Sequence, residues 1–176
     1  IRLVMLARSP SRAMGLILLG MGLASALLMN DTLALLATPI MIGTAKQMGI
    51  SPTPLLITLA VAVTTGSALT PVGNPQNLLI ASESGIPNPF FDFARYMALP
   101  TALNFLVTYT IIRLYYRKEL RRAKLTVYKG IPAEAIRDQK LYRQTLIAIA
   151  VVIAGFAVLS LLGTLGFTSK LNYGSI

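Results

Sequence analysis

The chain has 176 residues and a formal net charge of +10; 55% are hydrophobic, only 12% are charged, and there is no Cys, His or Trp. Charged residues make up about a quarter of an ordinary soluble domain, so this composition, with apolar runs long enough to cross a bilayer, places the chain in the membrane class. Without Cys and His, disulfide frameworks, thiolate metal sites, most zinc sites, a Cys nucleophile and a Ser-His-Asp triad are all excluded.

In chain order, residues 1–12 form a basic lead (Arg2, Arg8, Arg12) in which Ser9-Pro10-Ser11 reads as a breaker. Residues 13–45 are apolar apart from Asn30-Asp31-Thr32 in their middle. Ser51-Pro52-Thr53-Pro54 is the next turn. Residues 55–83 predict a transmembrane helix broken at Thr70-Pro71-Val72-Gly73-Asn74-Pro75-Gln76-Asn77. Residues 84–95 read as a polar, Pro-rich external loop. Residues 96–116 predict a transmembrane helix with Tyr at both ends, like an aromatic belt. A basic loop follows over 117–143, and 145–167 predict a last transmembrane helix.

Charge sets the topology. Between Arg113 and Arg143 stand ten Lys/Arg against Glu119, Glu134 and Asp138, so seven of the ten net positive charges lie there. That is the positive-inside signature of a cytoplasmic loop. No recognition motif accompanies it, and nucleic acid is not an expected partner. Residues 13–45 would make about 33 residues of helix, roughly 50 Å, where two crossings need about 60 Å plus a turn. A single crossing would put Arg2, Arg8 and Arg12 outside. A re-entrant hairpin entering and leaving on the cytoplasmic side keeps all three inside and is the expected form.

The two breaks carry the chemistry. At a hairpin tip inside the membrane, the arriving helix offers free carbonyls to a cation, and the departing helix offers free N–H groups to an anion. Asn30 and Thr32 add neutral ligands. Asp31 adds a carboxylate whose burial near the bilayer centre costs about 2.5–3.5 kcal/mol, which a cation or a proton would offset. Asp31 as a plain N-cap is the competing reading. At the second break, Pro71 pushes Thr70 out of the helical region, Gly73 permits unusual backbone, and Asn74 suits an N-cap with Pro75 at the first helical position. A kink without function also uses Pro and Gly. Thr70, Gly73, Asn74 and Asn77 are the site candidates there, with a sodium site expected at Asn30, Asp31 and Asn74. Gly15, Gly22, Ser25 and Ala26 read as a helix-packing surface, and Asn104 as an interhelical hydrogen bond.

The runs Ser25–Leu36 and Gly66–Leu78, with Gly-Asn-Pro-Gln-Asn after Thr-Pro, resemble the arsenite-permease/NhaD-type antiporter group of the ion transporter superfamily. The divalent-anion:sodium symporters are more distant relatives. The resemblance covers about residues 13–116. It implies an all-α integral membrane protein of two inverted repeats, each with a re-entrant hairpin and a broken helix, working by an elevator-like motion. This chain would hold one repeat and the start of a second, as a fragment of a longer protein. A plasma (inner) membrane location, a homodimer and a small ionic substrate are implied as well. No cofactor is expected beyond sodium or protons as coupling ion, and no enzymatic activity, since no nucleophile–base pair or metal cluster can be assembled. The symporters resemble Ser-Asn-Thr at the hairpin tip. Asn30-Asp31-Thr32 departs from that and favours cation or proton coupling. A sodium-coupled dicarboxylate or sulfate symporter and a non-transporting membrane subunit remain the alternatives.

Overall fold

The computed structural model describes residues 9–123 and isolated helical positions between 140 and 158. Most of the expected helix 145–167, most of the basic loop 117–143 and residues 1–8 of the lead lie outside the described residues; the described positions of 145–167 are helical. The described chain forms α1 (Pro10–Leu27), α2 (Asn30–Met48), α3 (Thr53–Gly66), α4 (Pro75–Glu83), α5 (Pro89–Tyr115) and α6 (Arg117–Arg122). Two 3₁₀ turns, Ser67–Leu69 and Pro71–Gly73, separate α3 from α4. No strand occurs among the described residues.

Local chemistry fixes the ends. Ser9 caps α1 by accepting the Arg12 N–H at 3.3 Å, with Pro10 in the first turn. Pro89 likewise opens α5, with Asp92 in its first turn. Both prolines start helices where the sequence suggested a breaker and a loop, because a first-turn residue has no intrahelical N–H bond to lose. The loop after α4 therefore ends at Asn88, and α5 begins seven residues before the expected Tyr96. α2 stops at Gly49, whose φ of 66° lets the Ile50 N–H reach the Ala45 carbonyl at 3.1 Å; a glycine in this left-handed position is the usual helix stop.

α1 and α3 run side by side in parallel, with Gly22 against Gly66 and Leu18 clustered with Ala62. α2 returns antiparallel along α3. Ala37, Met41, Ala45 and Met48 of α2 share a core with Leu55, Leu59 and Val63 of α3, which Ile17 of α1 joins. α1 and α2 thus form a helical hairpin seated on α3. α5 runs antiparallel to α1, with Tyr109 over Gly15 and Phe105 over Gly22. Ser51 N–H donates to Glu119 Oε1 at 2.7 Å, fastening α6 to the α2–α3 turn.

Two levels result. The start of α1, the α2–α3 turn and α6 share one end. The hairpin tip and the 3₁₀ turns share a level about 21 Å along α3. Asn104, at that level on α5, accepts from the Thr65 hydroxyl at 3.5 Å. About 18 Å of α5, from Pro89 to Pro100, continues beyond it. The breaks therefore fall within the length of α5 rather than at its tip.

The apolar side chains are sorted as lipid would sort them. Ala13, Ala26, Ala37, Ala45, Ala62, Met14, Met41 and Met48 lie in the interior together with Ile17, Leu18, Leu55, Leu59, Val63 and Phe105, while Leu19, Leu23, Leu35, Leu36, Leu106 and Leu114 point outward. α1 and α5 are each long and apolar enough to cross a membrane. The small residues at the contacts, Gly22 and Gly66 among them, suit helices that associate through close backbone approach.

A Cβ at Gly66 would lie 2.0 Å from the Gly22 carbonyl oxygen, whereas a Cβ at Gly22 would lie 2.3 Å from the Phe105 ring. Backbone cannot yield, and a ring can. Gly66→Ala should lower stability in detergent by about 3 kcal/mol or more, and Gly22→Ala by about 1 kcal/mol, recovered by adding Phe105→Leu. Thermal unfolding of the purified variants checks this; equal losses would contradict the parallel α1–α3 contact.

Candidate functional site

The first break is short. Leu28 and Met29 are extended or non-helical, and Asn30 is already the first residue of α2. The turn is tight: the Leu28 N–H still bonds Ala24 O at 2.8 Å, and the Leu33 N–H already bonds Met29 O at 3.1 Å. Met29 in the N-cap position makes no side-chain cap hydrogen bond. Asn30 Oδ1 accepts the Asp31 N–H at 2.9 Å. Asp31 and Thr32 are exposed, and among the described residues their side chains make no hydrogen bond. Asp31 therefore does not serve as an N-cap. The first turn of α2 presents N–H groups, a carboxylate and a hydroxyl outward.

The second break is a closed knot. Thr70 and Asn74 adopt extended backbone on either side of Pro71–Gly73. Asn74 caps α4, its Oδ1 accepting the Asn77 N–H at 2.8 Å, with Pro75 in the first position. Asn74 Nδ2 donates to Ser67 Oγ at 3.2 Å. Asn77 Nδ2 donates to two carbonyls, Ser67 O and Thr70 O, each at 3.0 Å. Ser67 Oγ donates in turn to Thr64 O at 2.9 Å. Gly73 is buried, and a Cβ there would meet the Ser67 carbonyl oxygen at 2.1 Å. The carbonyls that the helix break frees are thus met by side chains from its own far side.

The two breaks are joined through α1. The Thr70 hydroxyl donates to Ala26 O, and the buried Ser25 hydroxyl donates to Val63 O. Among the described residues no hydrogen bond links Asn30, Asp31 or Thr32 to residues 67–77. The structure therefore brings Thr70, Gly73, Asn74 and Asn77 into one cluster and sets Asn30, Asp31 and Thr32 at the neighbouring tip. The expected sodium set of Asn30, Asp31 and Asn74 is split between these two groups, because capping and the Ser67 contact engage the Asn74 amide. Ser67 is the hub of the knot. Only its place in a run of hydroxyls (Thr64, Thr65, Ser67, Thr70) marked it in the sequence. Ser25 and Ala26, which read as packing residues, also supply the hydrogen bonds that join the breaks.

The sequence profile described as citrate transporter matches residues 1–175. The arsenical pump membrane protein of Escherichia coli is 30% identical over 151 residues, covering 84% of this chain and 34% of that protein. A Mycobacterium tuberculosis protein named as an uncharacterized transporter is 40% identical over 90 residues, 51% of this chain and 21% of its own length. The silicon efflux transporter of rice, Oryza sativa, is 44% identical over 64 residues, 36% of this chain and 13% of its own length. The chain thus spans about a third or less of each of these relatives. No solved structure matches.

Asn77→Asp removes the amide donor and sets a carboxylate against two carbonyls. It should destabilise the protein by roughly 2–4 kcal/mol, since each buried carbonyl left unpaired costs about 1–3 kcal/mol. Asp31→Asn, at an exposed side chain, should leave stability within about 0.5 kcal/mol. Thermal unfolding in detergent separates the two; a stable Asn77→Asp protein would show that the knot does not hold the break.

Proposed function

Because the chain belongs to the citrate transporter family, we propose that it forms one half of the transport core of a secondary transporter that moves small oxygen-rich anions or their acids across the plasma membrane, coupled to a cation or protons. The observation that carries this reading is the convergence of a hairpin tip and a helix break at one level inside an apolar bundle, tied by Thr70 to Ala26 and by Ser25 to Val63. Broken backbone at membrane depth is tolerated only where protein or a water-filled cavity satisfies it, and secondary transporters place their substrate sites there.

The residues divide the work. The knot of Ser67, Thr70, Gly73, Asn74 and Asn77 is the scaffold: its side chains are engaged with one another, and it fixes the height of the tip. The tip is the ligand surface. The uncapped first turn of α2 offers N–H groups and a positive dipole end to an oxyanion. Asn30 and Thr32 add an amide and a hydroxyl, and the Asp31 carboxylate takes the coupling cation or proton. A carboxylate beside an anion-binding helix end suits coupled movement. The anion is better held when Asp31 is neutralised, so the two ligands favour each other.

The names of the relatives support small oxygen-bearing solutes: an arsenical, a silicon compound and, for the family, citrate. The second inverted repeat, supplied by sequence outside this chain, would close the site, and alternating access would proceed by a rigid-body movement in a homodimer. The family and these relatives are transporters rather than enzymes. A sodium-coupled dicarboxylate symporter is the second reading, favoured by the carboxylate substrate in the family's description.

The test is flux in proteoliposomes containing the whole protein of which this chain is part, with arsenite and citrate as substrates and imposed sodium or pH gradients. Gradient-driven flux should fall at least tenfold in Asp31→Asn at equal reconstitution, because the coupling ion loses the Asp31 carboxylate. Flux that keeps its gradient dependence in Asp31→Asn would sink the coupling role of Asp31. Absence of flux for either solute in well-folded protein would sink the substrate class.

A further inference from the structure

The α1–α5 side of the bundle carries two cavities that meet at Tyr109. One is an apolar groove of about 520 Å³ between Gly15, Leu19 and Leu23 of α1 and Ala102, Leu106 and Tyr109 of α5. The other, of about 510 Å³, opens where α1 begins and is lined by Ser9, Arg113, Arg117 and Arg121. A recess against the same Ser9, Tyr109 and Arg113 adds Arg12. Four arginines therefore line the cavities at one end of the groove.

No carboxylate lines these cavities among the described residues. Glu119, the acid nearest in sequence, is turned to the Ser51 N–H at 2.7 Å. Arg113 is steadied over the Tyr109 ring, its guanidinium carbon 5.9 Å from the ring centre. Like charges gathered without an acid repel one another, and an anion among them removes that repulsion. Planar guanidinium forks match phosphate oxygens. From Gly15 to Leu23 the groove follows α1 for about 12 Å, close to the ~15 Å depth of one leaflet's hydrocarbon. A basic pocket opening into an apolar trough of that length has the shape of a lipid.

We propose that α1 and α5 hold one anionic phospholipid from the leaflet at the basic end, its phosphate among Arg12, Arg113 and Arg117 and one acyl chain in the groove beside Ala102 and Leu106. The site lies at the opposite end of α1 from the hairpin tip. It depends on the bilayer placement of the chain and not on transport. A free phosphate offers the arginines the same chemistry but gives the groove nothing to hold. The bound lipid would brace α1, and through Ser25 and Ala26 the tip itself, against α5.

Native mass spectrometry of the whole protein in mild detergent tests this, with dioleoyl phosphatidylglycerol, dioleoyl phosphatidylcholine and inorganic phosphate as probes. The phosphatidylglycerol adduct should exceed the phosphatidylcholine adduct by about tenfold. Arg113→Gln with Arg117→Gln, both at exposed positions, should erase that preference. Ala102→Trp, which fills the groove from an exposed helix position, should lower phosphatidylglycerol retention with the arginines intact. Arg95→Gln, far along α5 from the pocket, should change nothing. All variants are compared at wild-type elution in size exclusion. Equal retention of the two lipids, or retention indifferent to the arginine pair, would overturn the proposal. Phosphate binding with the same arginine dependence but no effect of Ala102→Trp would overturn the lipid in favour of a free oxyanion. A lipid-free groove in which Ala102→Trp disrupts assembly would assign it to protein contact instead.

Discussion

Two breaks inside an apolar bundle release backbone carbonyls and N–H groups that hydrocarbon cannot satisfy, and the molecule turns them on one another. Thr70 reaches across to the Ala26 carbonyl, Ser25 to the Val63 carbonyl, and Asn77 holds Ser67 and Thr70 from the far side of the gap. These bonds form only because Gly22 and Gly66 let α1 and α3 approach until their backbones touch. Any side chain at Gly66 would push the helices apart and strand those hydroxyls. Close packing and polar satisfaction are therefore one constraint.

From this constraint follows an asymmetry between the two helix starts at the same level. α4 is capped by Asn74 and closed; α2 follows Met29, has no side-chain cap and stays open. This uncapped start is exposed rather than buried, so its free N–H groups need water or a ligand as partner. Inside a membrane it is costly unless a ligand completes it. In the proposed function the closed start would hold position and the open start would meet solute, giving Asp31 and Asn74, both conspicuous as polar residues at breaks, different duties. The Asn74 amide is committed within the knot, and the Asp31 carboxylate is free to exchange partners.

Much of this was legible in the residues. Asn-Pro after a glycine states a capped helix start, and Asn74 and Pro75 take those places. Asn30-Asp31-Thr32 inside an apolar run states an interruption, and the chain turns immediately before it. Proline was less transparent. Pro10 and Pro89 look like breakers in a list of residues, yet each begins a helix, because the same missing N–H that ends one helix is harmless in the first turn of the next. The side-chain economy of the second break was not legible. Which of Thr70, Asn74 and Asn77 would face solute depends on where the freed carbonyls point, and that direction is set by Ser67 and by α1, more than 40 positions earlier for Thr70. The sodium set that joins Asn30 and Asp31 to Asn74 rested on nearness of the breaks alone, whereas the Asn74 amide is engaged by the cap it was expected to form and by Ser67.

The central claim is that the tip of the hairpin is a water-accessible surface at membrane depth where the solute binds. This chain contains no Cys, so a cysteine introduced at the tip has no other thiol among its 176 residues, and the unsubstituted protein serves as the blank. The most direct measurement is the rate at which a small, charged thiol reagent modifies Asp31→Cys in membranes, beside Leu106→Cys on the outer flank of α5. The account predicts rapid modification of the tip, slowed by a transported solute, and little modification at Leu106. A tip as inert as Leu106, or one whose reactivity no solute alters, would contradict it.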